Sequence, residues 1–166
     1  MAFKARGAEG PPPASPEELY RDLPHRAGAV PNLWLHQGDL LRAYDADHTA
    51  TPDLALELPT GTGKTLPGLL IAGWVRRFRR VRVAYACPTR QLARQVATTA
   101  ERQGIPAVVL VGRHTDWPMV DQSRYEAAEA IAIVVAAVER RLRLDPEGVG
   151  GTLGLPLEEL STGGAS

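Results

Sequence analysis

The chain has 166 residues, enough for one domain that buries roughly 70 % of the surface its unfolded form would expose. Its 19 Lys and Arg balance 19 Asp and Glu, so net charge argues for neither a nucleic-acid nor a membrane partner, and any such partner has to be argued from local residues. Cys87 is the only cysteine, which excludes an intramolecular disulfide framework, and the longest apolar run, Ile131 to Val138, is far short of the ~20 residues that span a bilayer.

Residues 1–14 are rich in Gly, Pro and Ala, without the apolar stretch of a secretory signal, and read as a disordered arm of a soluble, cytoplasmic protein. A helical segment, 15–50, follows. Ser15 can cap a first helix, Pro16 fits its first position, and Glu18 completes a capping box. A second helix is expected over 32–46, with Asn32 as cap and Leu33, Leu40, Leu41 and Tyr44 near helical spacing.

From residue 51 to about 144 strand and helix patterns alternate. "DLALEL" leads into a Gly-rich loop, and "LPGLLIAGWVRRF" has helical length with Pro67 tolerable in its opening turn. "VRVAYACP" is a strand with Cys87 as a small buried residue at its end, and "QLARQVATTAERQG" is a helix closed by Gly104. "PAVVLVG" is another strand, and "DQSRYEAAEA" is a helix leading to the apolar run at Ile131. Helices between strands imply parallel pairing with helices on both faces, an α/β three-layer domain. "RRFRRVR", Arg76 to Arg82, reads as a solvated helix end that favours the macrodipole. The tail 145–166 is Gly-rich and shows no clear closing element. His25, His36, His48 and His114 lack paired ligand spacing, so no metal cluster is expected from them.

"LPTGTGKT", Leu58 to Thr65, carries the chemistry. A triphosphate needs several donors converging without side chains in the way. Gly61 and Gly63 let successive backbone N–H groups form an anion nest at a helix start, Lys64 would reach the β and γ phosphates, and Thr65 would ligate Mg²⁺. The structural alternative is a Gly-rich turn that merely joins strand to helix. The Lys–Thr pair within a strand–loop–helix setting favours the phosphate site, although Leu58 stands where the usual pattern has its first glycine.

"LELPTGTGKT" resembles motif I of superfamily 2 helicases, and "ACPTRQLARQ", Ala86 to Gln95, is similar to their motif Ia, one helix and one strand downstream as in DEAD/DEAH-box proteins. "LWLHQGDLLRAY" resembles the segment in which a glutamine recognises adenine. The resemblance covers about Leu33 to Trp117 and implies a RecA-like P-loop NTPase lobe, mostly parallel in its sheet and incomplete. It implies ATP and Mg²⁺ bound by Gly61, Gly63, Lys64 and Thr65 with Thr60 and Thr62 lining the loop, and Gln37 at the adenine edge, where the bland alternative is an exposed helix residue. It also implies that Pro88, Thr89 and Arg90 touch the phosphates of single-stranded or duplex nucleic acid. For these three the structural alternative is a helix start capped by Thr89, and both can hold. Gly112, Arg113 and His114 either extend that face or form an ordinary loop.

Hydrolysis in this family uses an adjacent Asp–Glu pair at a strand end, and no such pair occurs in the sequence. Glu139 follows the apolar run but reads as a surface charge, and Glu158 and Glu159 do not lie in a buried strand pattern. The expectation is an N-terminal piece of a helicase-like ATPase, truncated or read out of frame near its end, that binds ATP and barely hydrolyses it. The alternatives are a translocase or restriction-type motor fragment and a noncatalytic nucleotide-binding module. A small P-loop kinase is disfavoured, since it leaves motif Ia unexplained.

Overall fold

The computed structural model describes residues 10–47, 61, 63–135 and 152–153. Helix α1 spans Pro16–Asp22. The Ser15 hydroxyl accepts from the Glu18 N–H at 3.2 Å, while the Glu18 carboxylate reaches one residue past the cap and accepts from the Ala14 N–H at 2.8 Å. Helix α2 spans Leu35–Asp47, two residues later than the Asn32 cap predicts. Its start is set from inside: the Gln37 side-chain oxygen accepts the N–H of Trp34 at 3.0 Å, the reciprocal half of a capping box without the Ser or Thr half.

Helix α3, Thr65–Arg79, follows the Gly-rich loop, and strand β1 is Ala84–Cys87. Helix α4, Arg90–Gln103, starts under Thr89, whose hydroxyl accepts from the Leu92 N–H at 3.2 Å, and ends at Gly104 with φ 77°. Strand β2 is Ala107–Val109, a short 3-10 turn covers His114–Asp116, helix α5 is Met119–Glu126, strand β3 is Ile131–Val135 and strand β4 is Thr152–Leu153.

The sheet is parallel throughout, in the order β2-β3-β1-β4. Ala84 pairs with Ala132 and Cys87 with Val135, while Val109 pairs with Ile133. The unbroken run Ile131–Val135 is explained by its two faces. Ile131, Ile133 and Val135 join the larger core with α1, α2, α3 and α4, whereas Ala132 and Val134 join a smaller cluster with Val108, Leu110 and Tyr125 of α5. The expected α/β architecture, a parallel sheet with helices on both faces, is therefore what the chain forms.

The Gly-rich tail shows no clear closing element in its sequence, and Thr152–Leu153 within it pair with β1 on the side away from β3. One expectation is corrected: Arg76 was placed on a solvated helix end. It is 3 % exposed and its guanidinium Nη1 donates to the Ala128 carbonyl at 2.9 Å, because α3 is buried along most of its length, between α1 and the strands, and carries Arg76 inward with it.

Residues 10–14, at the end of the stretch read as an arm, lie against α3. The buried Trp74 indole N–H donates to the Pro13 carbonyl at 2.9 Å, and Arg77 donates to the carbonyls of Gly10 and Pro11, each at 3.3 Å. Trp74 itself is 1 % exposed and stacks on Phe78 with ring centroids 4.8 Å apart.

Candidate functional site

Helix α3 begins without a side-chain cap. Lys64, the residue before it, has helical backbone angles and makes no capping bond, so the first-turn N–H groups have no side chain of the flanking residue to satisfy them. Gly61 and Gly63 just ahead both have left-handed backbone, φ 82° and 69°, a conformation that aims successive N–H groups toward one point. Among the described residues a Cβ built on Gly61 would meet nothing within 4 Å. The Lys64 side chain is exposed and forms no ion pair among the described residues. A left-handed glycine loop, free helix donors and an unengaged ammonium fit a phosphate chain with its counter-cation. Thr65, half-buried, opens the helix at the position from which a hydroxyl would ligate Mg²⁺. Thr60, Thr62 and the strand expected over 53–58 lie outside the described residues, as do Glu139, Glu158 and Glu159.

Gln37 is 4 % exposed, not an exposed helix residue, and it meets this loop. Its amide NH₂ donates to the Gly63 carbonyl at 3.1 Å while its oxygen holds the Trp34 N–H. The nitrogen lies 2.8 Å from the point a Cβ on Gly63 would occupy, so a side chain there would displace the glutamine. One amide thus ties the start of α2 to the loop across 26 residues of chain.

A further contact was not anticipated. Gly68, one turn into α3, leaves a hole that Tyr85 of β1 fills: a Cβ at Gly68 would stand 2.9 Å from the ring and 3.3 Å from the hydroxyl. The readable signal was the glycine itself, since Gly inside a helix costs ~1 kcal/mol and needs a packing reason. Burial, with the nearby Cys87 as a lesser cause, pushes the Tyr85 hydroxyl up to about 12, and burial pushes the Cys87 thiol up to about 11. Tyr85 therefore remains a neutral hydroxyl and Cys87 a packed, inert thiol near neutral pH.

Pro88, Thr89 and Arg90 sit exposed where β1 hands over to α4. The Thr89 hydroxyl serves as the helix cap, and Arg90 lies beside the loop after β2: its Nη2 is 4.0 Å from where a Cβ on Gly112 would be. Gly112 has φ 88°. Beyond it Arg113 is exposed, and the His114 ring meets the Gln122 amide at 3.0 Å and packs on Trp117 at 4.9 Å between centroids. The structure thus brings Gln37 to the Gly63 loop at one site and Arg90 to the Gly112 loop at another. Among the described residues no group of His, Cys, Asp and Glu could hold a metal, and no helix is long and apolar enough to cross a membrane.

The profile of one protein family, DEAD/DEAH box helicase, matches residues 40–148. No curated protein and no solved structure matches the chain.

Proposed function

Because the chain belongs to the DEAD/DEAH box helicase family, we propose that it is the ATP-binding portion of a nucleic-acid-dependent ATPase. The observation that supports this reading is the Gln37 amide: a nearly buried polar group that both starts α2 and grips the Gly63 carbonyl of the loop. Such a residue touches the loop directly, and on this reading its amide would exchange these backbone partners for the adenine edge when nucleotide is bound. On this reading residues 15–50 serve the adenine and residues 51–144 the phosphates.

Gly61, Gly63 and the first turn of α3 would bind the phosphate oxygens through backbone N–H groups, with Lys64 supplying the compensating charge. Bound Mg²⁺ would neutralise charge on the β and γ oxygens, with Thr65 as its protein ligand. Thr60 and Thr62 would line the loop, and Pro88, Thr89 and Arg90 would position a nucleic-acid strand through its phosphates without reading its bases. Turnover is expected to be slow. No adjacent Asp–Glu pair occurs in the sequence, and positioning of a general base is commonly worth about 10² to 10⁴ in rate.

The test is titration of the full chain with a fluorescent ATP analogue in the presence of Mg²⁺, competed by ATP and by GTP. Lys64→Ala should lose binding, and Gln37→Ala should lose preference for ATP over GTP while keeping part of its affinity. Unchanged binding in Lys64→Ala would remove the phosphate-site assignment. ATP binding with no turnover, even when single-stranded nucleic acid is added, would favour the noncatalytic module.

A further inference from the structure

The last turns of helix α3, away from its phosphate-loop start, carry a second set of hydrogen-bond donors. Trp74, Arg77 and Phe78 stand at i, i+3 and i+4, the spacing that puts side chains on one side of a helix. Trp74 lies about 14 Å along the axis from Thr65. Its ring stacks on Phe78, with 4.8 Å between centroids and 16° between planes, and meets Tyr44 of α2 edge-on at 6.2 Å. Phe78 is 49 % exposed, so the outer end of this aromatic row is accessible.

A run of three prolines lies against the row. Trp74 donates its indole N–H to the Pro13 carbonyl at 2.9 Å, and Arg77 Nη2 donates to the carbonyls of Gly10 and Pro11, each at 3.3 Å. All three acceptors belong to the backbone, so the contact reads the conformation of the strand rather than its side chains. Pro11, Pro12 and Pro13 hold φ at about −65° and each keeps the residue ahead of it extended, which presets a polyproline strand at little ordering cost. Pro13 is buried, whereas Gly10, Pro11 and Pro12 are exposed. Aromatic side chains lining a groove for a preformed proline strand are a recurring mode of peptide recognition. A strand held by so few bonds, and lacking the N–H groups that would tie it into a helix or sheet, can be replaced by another of the same kind.

We propose that the outer side of α3, at Trp74, Arg77 and Phe78, is a binding site for a proline-rich strand, filled in the free chain by residues 10–13 and taken over by a proline-rich segment of another protein. Ala14 alone separates Pro13 from the Ser15 cap of α1, so the chain's own strand is present at high effective concentration and sets the affinity a partner must exceed.

The test measures fluorescence anisotropy of labelled octaproline against the full chain, with a Gly-Ser peptide of equal length as control. The unaltered chain should bind octaproline weakly, because its own strand competes. A full-length variant carrying Pro11→Gly, Pro12→Gly and Pro13→Gly, whose leading segment has lost its preset conformation, should bind at least about tenfold more tightly, the gain expected from removing a tethered competitor. In that background Arg77→Ala should weaken octaproline by about two- to tenfold, the net worth of one hydrogen bond, and Trp74→Phe, which keeps a ring and drops the N–H, should do the same. Melting curves check that each variant is folded. Pro12→Gly alone, at an exposed position, serves if the triple variant fails to fold, and should give the same gain in smaller measure. If removing prolines brings no gain, or the Gly-Ser peptide binds as well as octaproline, α3 carries no proline site. If the gain survives both Arg77→Ala and Trp74→Phe, the peptide sits elsewhere and the proposal is overturned.

Discussion

Helices α3 and α4 start in opposite ways. Lys64 gives α3 no side-chain cap, whereas Thr89 caps α4 with its own hydroxyl and Gly104 closes it in left-handed backbone. Their bodies differ in the opposite sense. Most of α3 from Leu66 to Arg76 is buried, while α4 buries only Ala93, Val96, Ala100 and Gln103 and turns a polar face outward. A helix that leaves its first donors open to a ligand cannot satisfy them itself and must be held by its flanks. One that caps itself can leave a long side free for another partner.

The comparison can be broken most forcefully at Trp74. If α3 is held by burial, Trp74→Ala should destabilise the chain by about 3–5 kcal/mol, seen as a lower urea midpoint. A loss below about 1 kcal/mol would show that α3 is held in some other way.

At the open helix start, Lys64→Ala should weaken nucleotide binding by at least about 100-fold, near 2.7 kcal/mol, while moving stability by less than about 0.5 kcal/mol. Isothermal titration beside a urea curve reads both. At the capped start the pattern should reverse. Thr89→Ala should cost about 1 kcal/mol of stability, with Thr89→Ser restoring most of it, and should leave nucleotide affinity unchanged.

The smallest effect is a pH dependence at Cys87, where β1 leads into the α4 cap. Burial lifts this thiol from 9.0 to about 11, so above pH 9 the unfolded chain releases a proton that the folded chain keeps. Stability then falls as pH rises from about 9 to about 11, by under about 1 kcal/mol at pH 9.5. Urea midpoints at pH 7.5 and 9.5 should draw apart less in Cys87→Ala than in the unaltered chain.

Local chemistry made α4 legible almost to the residue, because Thr89 and Gly104 are strong punctuation at its ends. The start of α2 was misread for a related reason. Asn32 is a good cap by type, but the bond that starts the helix comes from Gln37 reaching back to Trp34, and a glutamine three residues into a helix signals weakly without Ser or Thr before it. Arg76 was misplaced because a run of arginines reads as surface, while its acceptor, the Ala128 carbonyl, is 52 residues away in sequence. Of the candidate site, the left-handed turn at Gly61 and Gly63 ahead of α3 was legible from its glycines. The grip of Gln37 on Gly63 and the seat of Tyr85 on Gly68 were not, since both join distant segments through a fit that no spacing encodes.

The bond from Trp74 to Pro13 has a consequence for shortened chains. An indole N–H in the core whose acceptor is a backbone carbonyl ahead of α1 depends on that leading peptide staying in place. Clipping the chain just before Ser15 would remove this acceptor, a hydrogen bond worth about 0.5–1.5 kcal/mol, and the helix that loses it is the one that follows the Gly61–Gly63 loop. Protease trimming meant to tidy the N-terminus would thus act at a distance on the helix that carries the Gly-rich loop.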